Sequence, residues 1–241
     1  MKQFDLKYYL AQFVAVCWLA VTFASCGFET EGVYVDDTME PVELGDYYID
    51  EYGNEGVVVY VKSSVWKYAI VLSSDETCLP WGPMGERVYA VDTVAKNTLS
   101  EASYGVAMLQ SMKSKGIERY PAQAWCDKKN HGEEFPYGGS WRLPTFHEYV
   151  IIMGDNGSRV SSINNLLRQM GGMPLRTGDY YWLCDEDYEG HVKIKDKETD
   201  YDCENRAVIV TPMRSSTSTK ERWIKKNSHY VRAIKYIYYE Y

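Results

Sequence analysis

The sequence predicts an α+β fold in which small, twisted antiparallel sheets combine with two to four helices. Segments rich in β-branched and aromatic residues lie towards both ends of the chain, as in residues 56–61 and 180–184. Such runs, bounded by Gly and Asn, are typical of strands. Between them, within residues 100–170, apolar residues recur at helical spacing. The order of strands, then helices, then strands favours the α+β class.

The predicted strands fall into two groups, one at each end of this region. A turn at Asp50–Gly56 separates the first two strands, and Ser63-Ser64 forms the next turn. The strands are predicted at Leu44–Tyr48, Gly56–Val61, Trp66–Leu72, Tyr180–Cys184, Ala207–Thr211 and Tyr230–Tyr239.

Three helices are predicted between residues 100 and 170. The first begins at a cap on Ser100, and the second begins with Pro121, a residue suited to the first helical turn. The third covers Ile163–Met170, with Ser161 or Ser162 as its cap. The apolar stripe of each helix is expected to face the core.

A fourth helix begins inside the most informative stretch of the sequence, residues 138–149. Pro144 disfavours helix at the residue before it. Thr145 and Glu148 have the spacing of a capping box, in which each side chain satisfies a free backbone N–H group. The motif residues are Trp141, Arg142, Leu143, Pro144, Thr145 and Glu148.

Composition excludes several functions. The 241-residue chain carries a formal net charge of −8, which disfavours binding to nucleic acid and to anionic lipid. The densest basic pair, Lys225-Lys226, is predicted to be a solvated turn. The four histidines are scattered and no cysteine pair has C-x-x-C spacing, so neither a metal nor a cofactor is expected.

The N-terminus has the order of a targeting segment. Residues 1–25 contain Lys2 and Lys7, then an apolar run that ends in small residues before Cys26. This order resembles a bacterial lipoprotein signal peptide, which implies a lipid on Cys26. A plain signal peptide or an anchor helix is the alternative. Residues 26–43 are acidic and predict a solvated tether, and acidic residues there also resemble the surface-export signal of Bacteroides-type lipoproteins.

The central motif W-R-L-P-T-x-x-E resembles the signature of bacterial C-type-lectin-like domains. Tyr180-Tyr181-Trp182 and Tyr230-Val231-Arg232 resemble the later strands of the same family, in its Lcl C-terminal-like or Fibrobacter paralogous form. The resemblance covers residues 44–241 and implies a C-type-lectin-like domain. It implies a lipid-anchored lipoprotein at the outer membrane or cell surface that binds a glycan or protein without catalysis, with the lipid as its sole membrane contact.

Two alternatives to a binding or adhesion module remain open. One is a structural accessory component of a surface assembly. The other is a degenerate relative of the formylglycine-generating enzymes, which share the central motif. Those enzymes use paired cysteines in an arginine-rich context that this chain lacks, so the sequence predicts a protein that is not an enzyme.

Four cysteines follow Cys26 and permit disulfides in an exported protein. Cys184 ends one strand and Cys203 precedes the next, which predicts a disulfide between them. Cys78 and Cys126 form the weaker second candidate pair. Four buried free thiols are the alternative.

The connection from Asp185 to Arg206 is the predicted binding surface, because lectin-like domains place variable ligand loops between such strands. It is rich in carboxylates, including Asp185 and Asp187, but has no ordered calcium spacing. Tyr188 and Tyr201 are the predicted ligand contacts. The loop at Trp81 is the second candidate surface.

Overall fold

The computed structural model describes residues 42–63, 67–88, 101–135, 139–186, 193–194, 197–198, 205–214 and 221–238. Within these residues the fold combines four α-helices with mostly antiparallel sheets, which confirms the predicted α+β class. The helices are α1 (Glu101–Ser114), α2 (Pro121–Lys128), α3 (Phe146–Met153) and α4 (Val160–Gln169).

The described strands form two main sheets. The first, sheet A, has the order β1-β2-β3-β11 and is antiparallel throughout; the second, sheet B, has the order β4-β10-β5-β8-β9. Within sheet B, β10 and β5 are parallel and the other pairs are antiparallel. The strands are β1 (Tyr47–Ile49), β2 (Glu55–Lys62), β3 (Tyr68–Ser73), β4 (Thr77–Pro80), β5 (Tyr181–Glu186), β6 (Lys193–Ile194), β7 (Lys197–Glu198), β8 (Arg206–Val210), β9 (Glu221–Ile224), β10 (Ser228–Val231) and β11 (Ile234–Tyr238).

The central strands are buried on both faces. On β5, Trp182 joins one core cluster with residues of α1 and α2, and Leu183 joins another with residues of α3 and α4. On β3, Val71 and Leu72 divide between the same two clusters. Because successive side chains of a strand point to opposite faces, burial on both faces explains why these strands are almost continuously apolar.

Three local expectations differ from the structure. The predicted strand Tyr230–Tyr239 is two strands, because the chain leaves sheet B after Val231 and enters sheet A at Ile234. Arg232 occupies the crossing and donates to Ser73 O at 2.8 Å and to Glu76. Helix α4 begins at Val160 after Arg159 and has no side-chain cap, so the predicted serine cap is wrong. Strands β4 and β9 were not predicted.

Candidate functional site

The central motif is a buried element of the fold. Thr145 and Glu148 form the predicted capping box at the start of α3. The Arg142 guanidinium donates to both Glu148 carboxylate oxygens, at 2.8 and 2.6 Å, and both side chains are fully buried. Burial disfavours the Arg142 cation, but the attraction of Glu148 outweighs burial and raises the pKa of Arg142. A Cβ on Gly105 would lie 2.4 Å from this guanidinium, which explains glycine there.

Neighbouring elements hold the motif in place through its backbone and its indole. Arg142 and Ile234 exchange two backbone hydrogen bonds of 3.0 and 2.9 Å, which extends sheet A beyond β11. The Trp141 indole N–H donates to Asp50 at 2.8 Å, and Asn130 bonds both backbone polar groups of Trp141. These groups are already paired and buried, so the motif stabilises the domain and presents no site to solvent.

Two residues predicted to line a binding surface lie in the interior instead. Trp81 is fully buried, and its indole N–H donates to Leu183 O at 2.7 Å. Asp185 is 3% exposed and accepts the backbone N–H of Phe146 at 2.7 Å, at the first residue of α3. The expectation that these side chains face a ligand is therefore wrong. Tyr188, Tyr201 and Asp187 lie outside the described residues.

The three described cysteines form no disulfide with one another. Cys78 is exposed, whereas Cys126 and Cys184 are buried. Burial raises the pKa of the Cys126 thiol well above its ordinary value, so this thiol stays protonated. The predicted Cys78–Cys126 pair is not formed. Cys184 packs into the core as a thiol, which corrects its predicted bond to Cys203; Cys203, like Cys26, lies outside the described residues.

The prediction of a solvated turn at Lys225-Lys226 is confirmed for Lys226 and wrong for Lys225. Lys226 is exposed, but Lys225 is fully buried and forms an ion pair with Glu186. Lys225 Nζ also donates to Glu86 O at 2.8 Å, and Lys225 O accepts the backbone N–H of Trp81 at 2.8 Å. The buried pair therefore ties the turn between β9 and β10 to the end of β5.

That turn brings together an aromatic cluster, which we define as Tyr180, Trp182, Trp223 and His229. Residues 225–227 connect β9 to β10, although β8 and β5 lie between these two strands in the sheet order. Sheet B must therefore curl so that β9 returns towards β10. The ring of His229 lies 4.8 Å from Trp182, 5.8 Å from Trp223 and 6.0 Å from Tyr180, each in an edge-to-face arrangement.

Trp223 exposes the cluster to solvent, and a few polar groups accompany it. Trp223 is 43% exposed, whereas Trp182 is fully buried. The Tyr180 hydroxyl donates to Glu221 Oε1 at 3.2 Å. His229 Nε2 is buried without a hydrogen-bond partner, and burial lowers the pKa of His229. An exposed indole beside a carboxylate, a hydroxyl and a neutral imidazole is suited to ligand binding.

Sequence reasoning missed this cluster because its members come from separate segments. Trp223 and Glu221 follow the polar residues 215–220, and His229 is one of four histidines scattered along the sequence. The alternation in Glu221–Ile224 and Ser228–Val231 is the signal that indicates two short strands here. Nothing in that pattern indicates that the two strands would face each other across a curled sheet.

None of the helices in the described part of the chain is long and apolar enough to cross a membrane. Across the same residues, no three or more His, Cys, Asp or Glu side chains are grouped as a metal site would require.

Comparison with known proteins shows the fold alone. No family model matches the chain, and no curated protein matches it. The fold is similar to the crystal structure of a fimbrial protein from Bacteroides ovatus, with a TM-score of 0.55 and 13% sequence identity. The similarity covers 80% of this chain and 48% of the fimbrial protein, so the chain spans about half the length of that neighbour.

Proposed function

We propose that this chain is a surface-displayed binding module with a C-type-lectin-like fold, and that it attaches to its ligand through the aromatic cluster without catalysing a reaction. Trp223 carries the proposal, because a large, partly exposed indole beside polar groups is the kind of residue that dominates binding energy at interfaces. The fold similarity to a fimbrial protein supports a role at the surface.

The state of the thiols supports binding over enzymatic function. A formylglycine-type enzyme requires reactive cysteines, and reactivity follows the thiolate form. Cys126 and Cys184 lie in the same apolar cluster, and the pKa of Cys126 is raised by burial. The arrangement favours two inert core thiols.

A structural component of a surface assembly is the second candidate function. The name of the fold neighbour, a fimbrial protein, favours it. The two candidates differ in what the exposed indole does: a binding module loses attachment when Trp223 is truncated, whereas an assembly component that uses another face keeps it.

The test displays the full-length chain on cells that lack their own copy and measures attachment of those cells to immobilised mucin and to collagen. We expect the wild-type chain to attach to at least one coating and Trp223→Ala to attach at least about fivefold less, since truncating a hot-spot residue costs more than ~1 kcal/mol. Tyr238→Ala is the matched control, because Tyr238 is also exposed, at 37%, but lies on sheet A. Equal attachment by wild type and Trp223→Ala, or no attachment by wild type, would contradict the proposal.

The proposed location is the outer membrane or cell surface, through a lipid on Cys26. The charged, apolar and small-residue order of residues 1–25 supports it. Metabolic labelling with a fatty acid is expected to mark the wild-type chain and to miss Cys26→Ser. Equal labelling of the two chains would place the anchor elsewhere.

A further inference from the structure

We propose that acid releases the ligand attached through the aromatic cluster, because His229 binds a second proton only by leaving the three rings that pack around it. This inference rests on the proposed binding function and specifies its regulation. It depends on three features of the cluster: the burial of one imidazole nitrogen, the groups that face the imidazole, and the contact of His229 with Trp223.

One nitrogen of the imidazole is enclosed by the protein. His229 Nε2 is buried without a hydrogen-bond partner among the described residues, and the ring packs edge-to-face against Trp182, Trp223 and Tyr180. A neutral imidazole carries a single N–H group, so the tautomer protonated at Nδ1 places no donor at Nε2. The imidazolium carries an N–H group at both nitrogens, and a buried donor without an acceptor is costly, more so when it is charged. Protonation therefore favours conformations in which Nε2 reaches water.

The groups around His229 do not compensate a positive charge on its ring. Strands β4, β5 and β9 supply the surroundings, and Leu79 of β4 is the partner of His229 across the strands. The Glu221 carboxylate of β9 is engaged by the Tyr180 hydroxyl at 3.2 Å. Burial lowers the pKa of His229, and no charge of the described residues contributes to this shift. The titratable or charged residues of these strands, of the turn before β10 and of β10 itself are Cys78, Tyr180, Tyr181, Asp185, Glu186, Glu221, Arg222, Lys225, Lys226 and Tyr230.

The imidazole supports the strand that carries the partly exposed indole. Strand β9 is the last strand in the described order of sheet B, where it pairs with β8. Trp223 lies opposite the small residue Ala207 on β8, and its ring is 5.8 Å from that of His229. When His229 moves towards water, Trp223 loses the ring against which it packs. The ligand then binds more weakly, because ordering a mobile side chain costs free energy on binding.

The direction of the pH dependence follows from the protonation states. The ligand-competent cluster contains neutral His229, which is the form present at neutral pH. Attachment is therefore complete at neutral pH and decreases as the pH falls through the lowered pKa of His229. The decrease is at most tenfold for each pH unit that separates this pKa from the value of about 6.5 for a histidine in water.

The test repeats the cell-attachment assay at about pH 7.5 and at about pH 5, on the coating to which the wild-type chain attaches. We expect attachment of the wild type to fall at least about threefold at the lower pH and to recover when the cells return to the higher pH. His229→Gln has no proton to gain and should change less than about twofold. His147→Gln is the matched control, because His147 is an exposed histidine on α3, and it should respond to pH as wild type does.

Nuclear magnetic resonance of the purified full-length chain, with labelled histidine, tests the proton without any ligand. The chain has four histidines, so substituting the other three in turn assigns His229 even if His229→Gln does not fold. We expect the imidazole of His229 to titrate below about 6.5, and quenching of tryptophan fluorescence by acrylamide to increase over the same pH range in wild type but not in Trp223→Phe. A pKa of His229 at or above about 6.5 overturns the inference. Circular dichroism at both pH values checks that the domain stays folded.

The attachment results separate this inference from the proposed function. Attachment that depends on Trp223 but is equal at both pH values, or that falls equally in wild type and His229→Gln, overturns the acid release and leaves the binding module standing. Stronger attachment in acid also overturns the acid release, and it would show that the aromatic rings stabilise the imidazolium. Attachment at about pH 7.5 that is unaffected by Trp223→Ala overturns the proposed function, and the acid release with it.

Discussion

The buried ion pair of the central motif predicts a large loss of stability for Glu148→Ala. The Glu148 carboxylate accepts four hydrogen bonds: two from Arg142, one from Thr145 N at 2.8 Å and one from the Tyr236 hydroxyl at 2.7 Å. Arg142 and Glu148 side chains are both 0% exposed. Removing the carboxylate leaves a cation without its counter-ion and two donors without an acceptor, all away from water.

The expected loss of stability follows from the ion pair and the hydrogen bonds that the substitution removes. Breaking a buried pair by removing one partner costs about 3–5 kcal/mol, because the other charge stays buried and uncompensated. Each orphaned donor adds about 1–3 kcal/mol, although contributions within one network do not add fully. We expect the free energy of unfolding to fall by about 4 kcal/mol or more, which is a large share of the ~5–15 kcal/mol of a typical domain.

Urea unfolding followed by circular dichroism measures this loss. Glu134→Ala is the matched control, because Glu134 is 63% exposed and its ion pair with Lys113 spans 3.8 Å; an exposed pair contributes about 0–1 kcal/mol. Glu148→Gln keeps an acceptor oxygen without the charge and should fall between the two, which preserves the test if Glu148→Ala does not fold. A loss below about 1 kcal/mol for Glu148→Ala would refute the argument that this pair holds α3 against the sheets.

Two further predictions concern the thiols and the histidine of the aromatic cluster. In the native chain, a thiol reagent should modify Cys78 within minutes and reach Cys126 and Cys184 only after denaturation, as read by mass spectrometry of peptides; rapid native labelling of either buried thiol would contradict the core packing. Because burial lowers the pKa of His229, the unfolded chain binds an extra proton between that pKa and the unfolded value of about 6.5, and the free energy of unfolding rises with pH there. Wild type should therefore lose more stability than His229→Gln as pH falls from about 7.5 to about 5.5, and equal losses in urea melts would show that this imidazole is not kept neutral by the fold.

Local patterns predicted much of the secondary structure. The capping box at Thr145 and Glu148 is formed, because each of its hydrogen bonds joins groups within one helical turn. Pro121 opens α2 as predicted, since its missing N–H group costs nothing in the first turn. The apolar run at residues 56–61 is a strand.

Where local sequence patterns predicted exposed side chains wrongly, contacts between residues distant in the sequence determine their burial. Trp81 and Asp185 have the residue types of a binding surface, but the first donates to Leu183 O and the second caps the start of α3, so both are buried. Lys225 lies in a turn with a second lysine, yet Glu186 compensates its charge in the interior. The sequence pattern around each residue carries no information about a partner more than thirty residues away.

The sequence by itself determined the α+β class, the helix that starts at Thr145 and the apolar strands, because these depend on propensities and contacts between near neighbours. Only the tertiary structure decided the division of residues 230–238 between two sheets and the burial of Arg142 against Glu148. It also placed Trp223 on β9 against His229 on β10. These features depend on the curl of sheet B and on the order of its strands, which arise when both core clusters are buried at once.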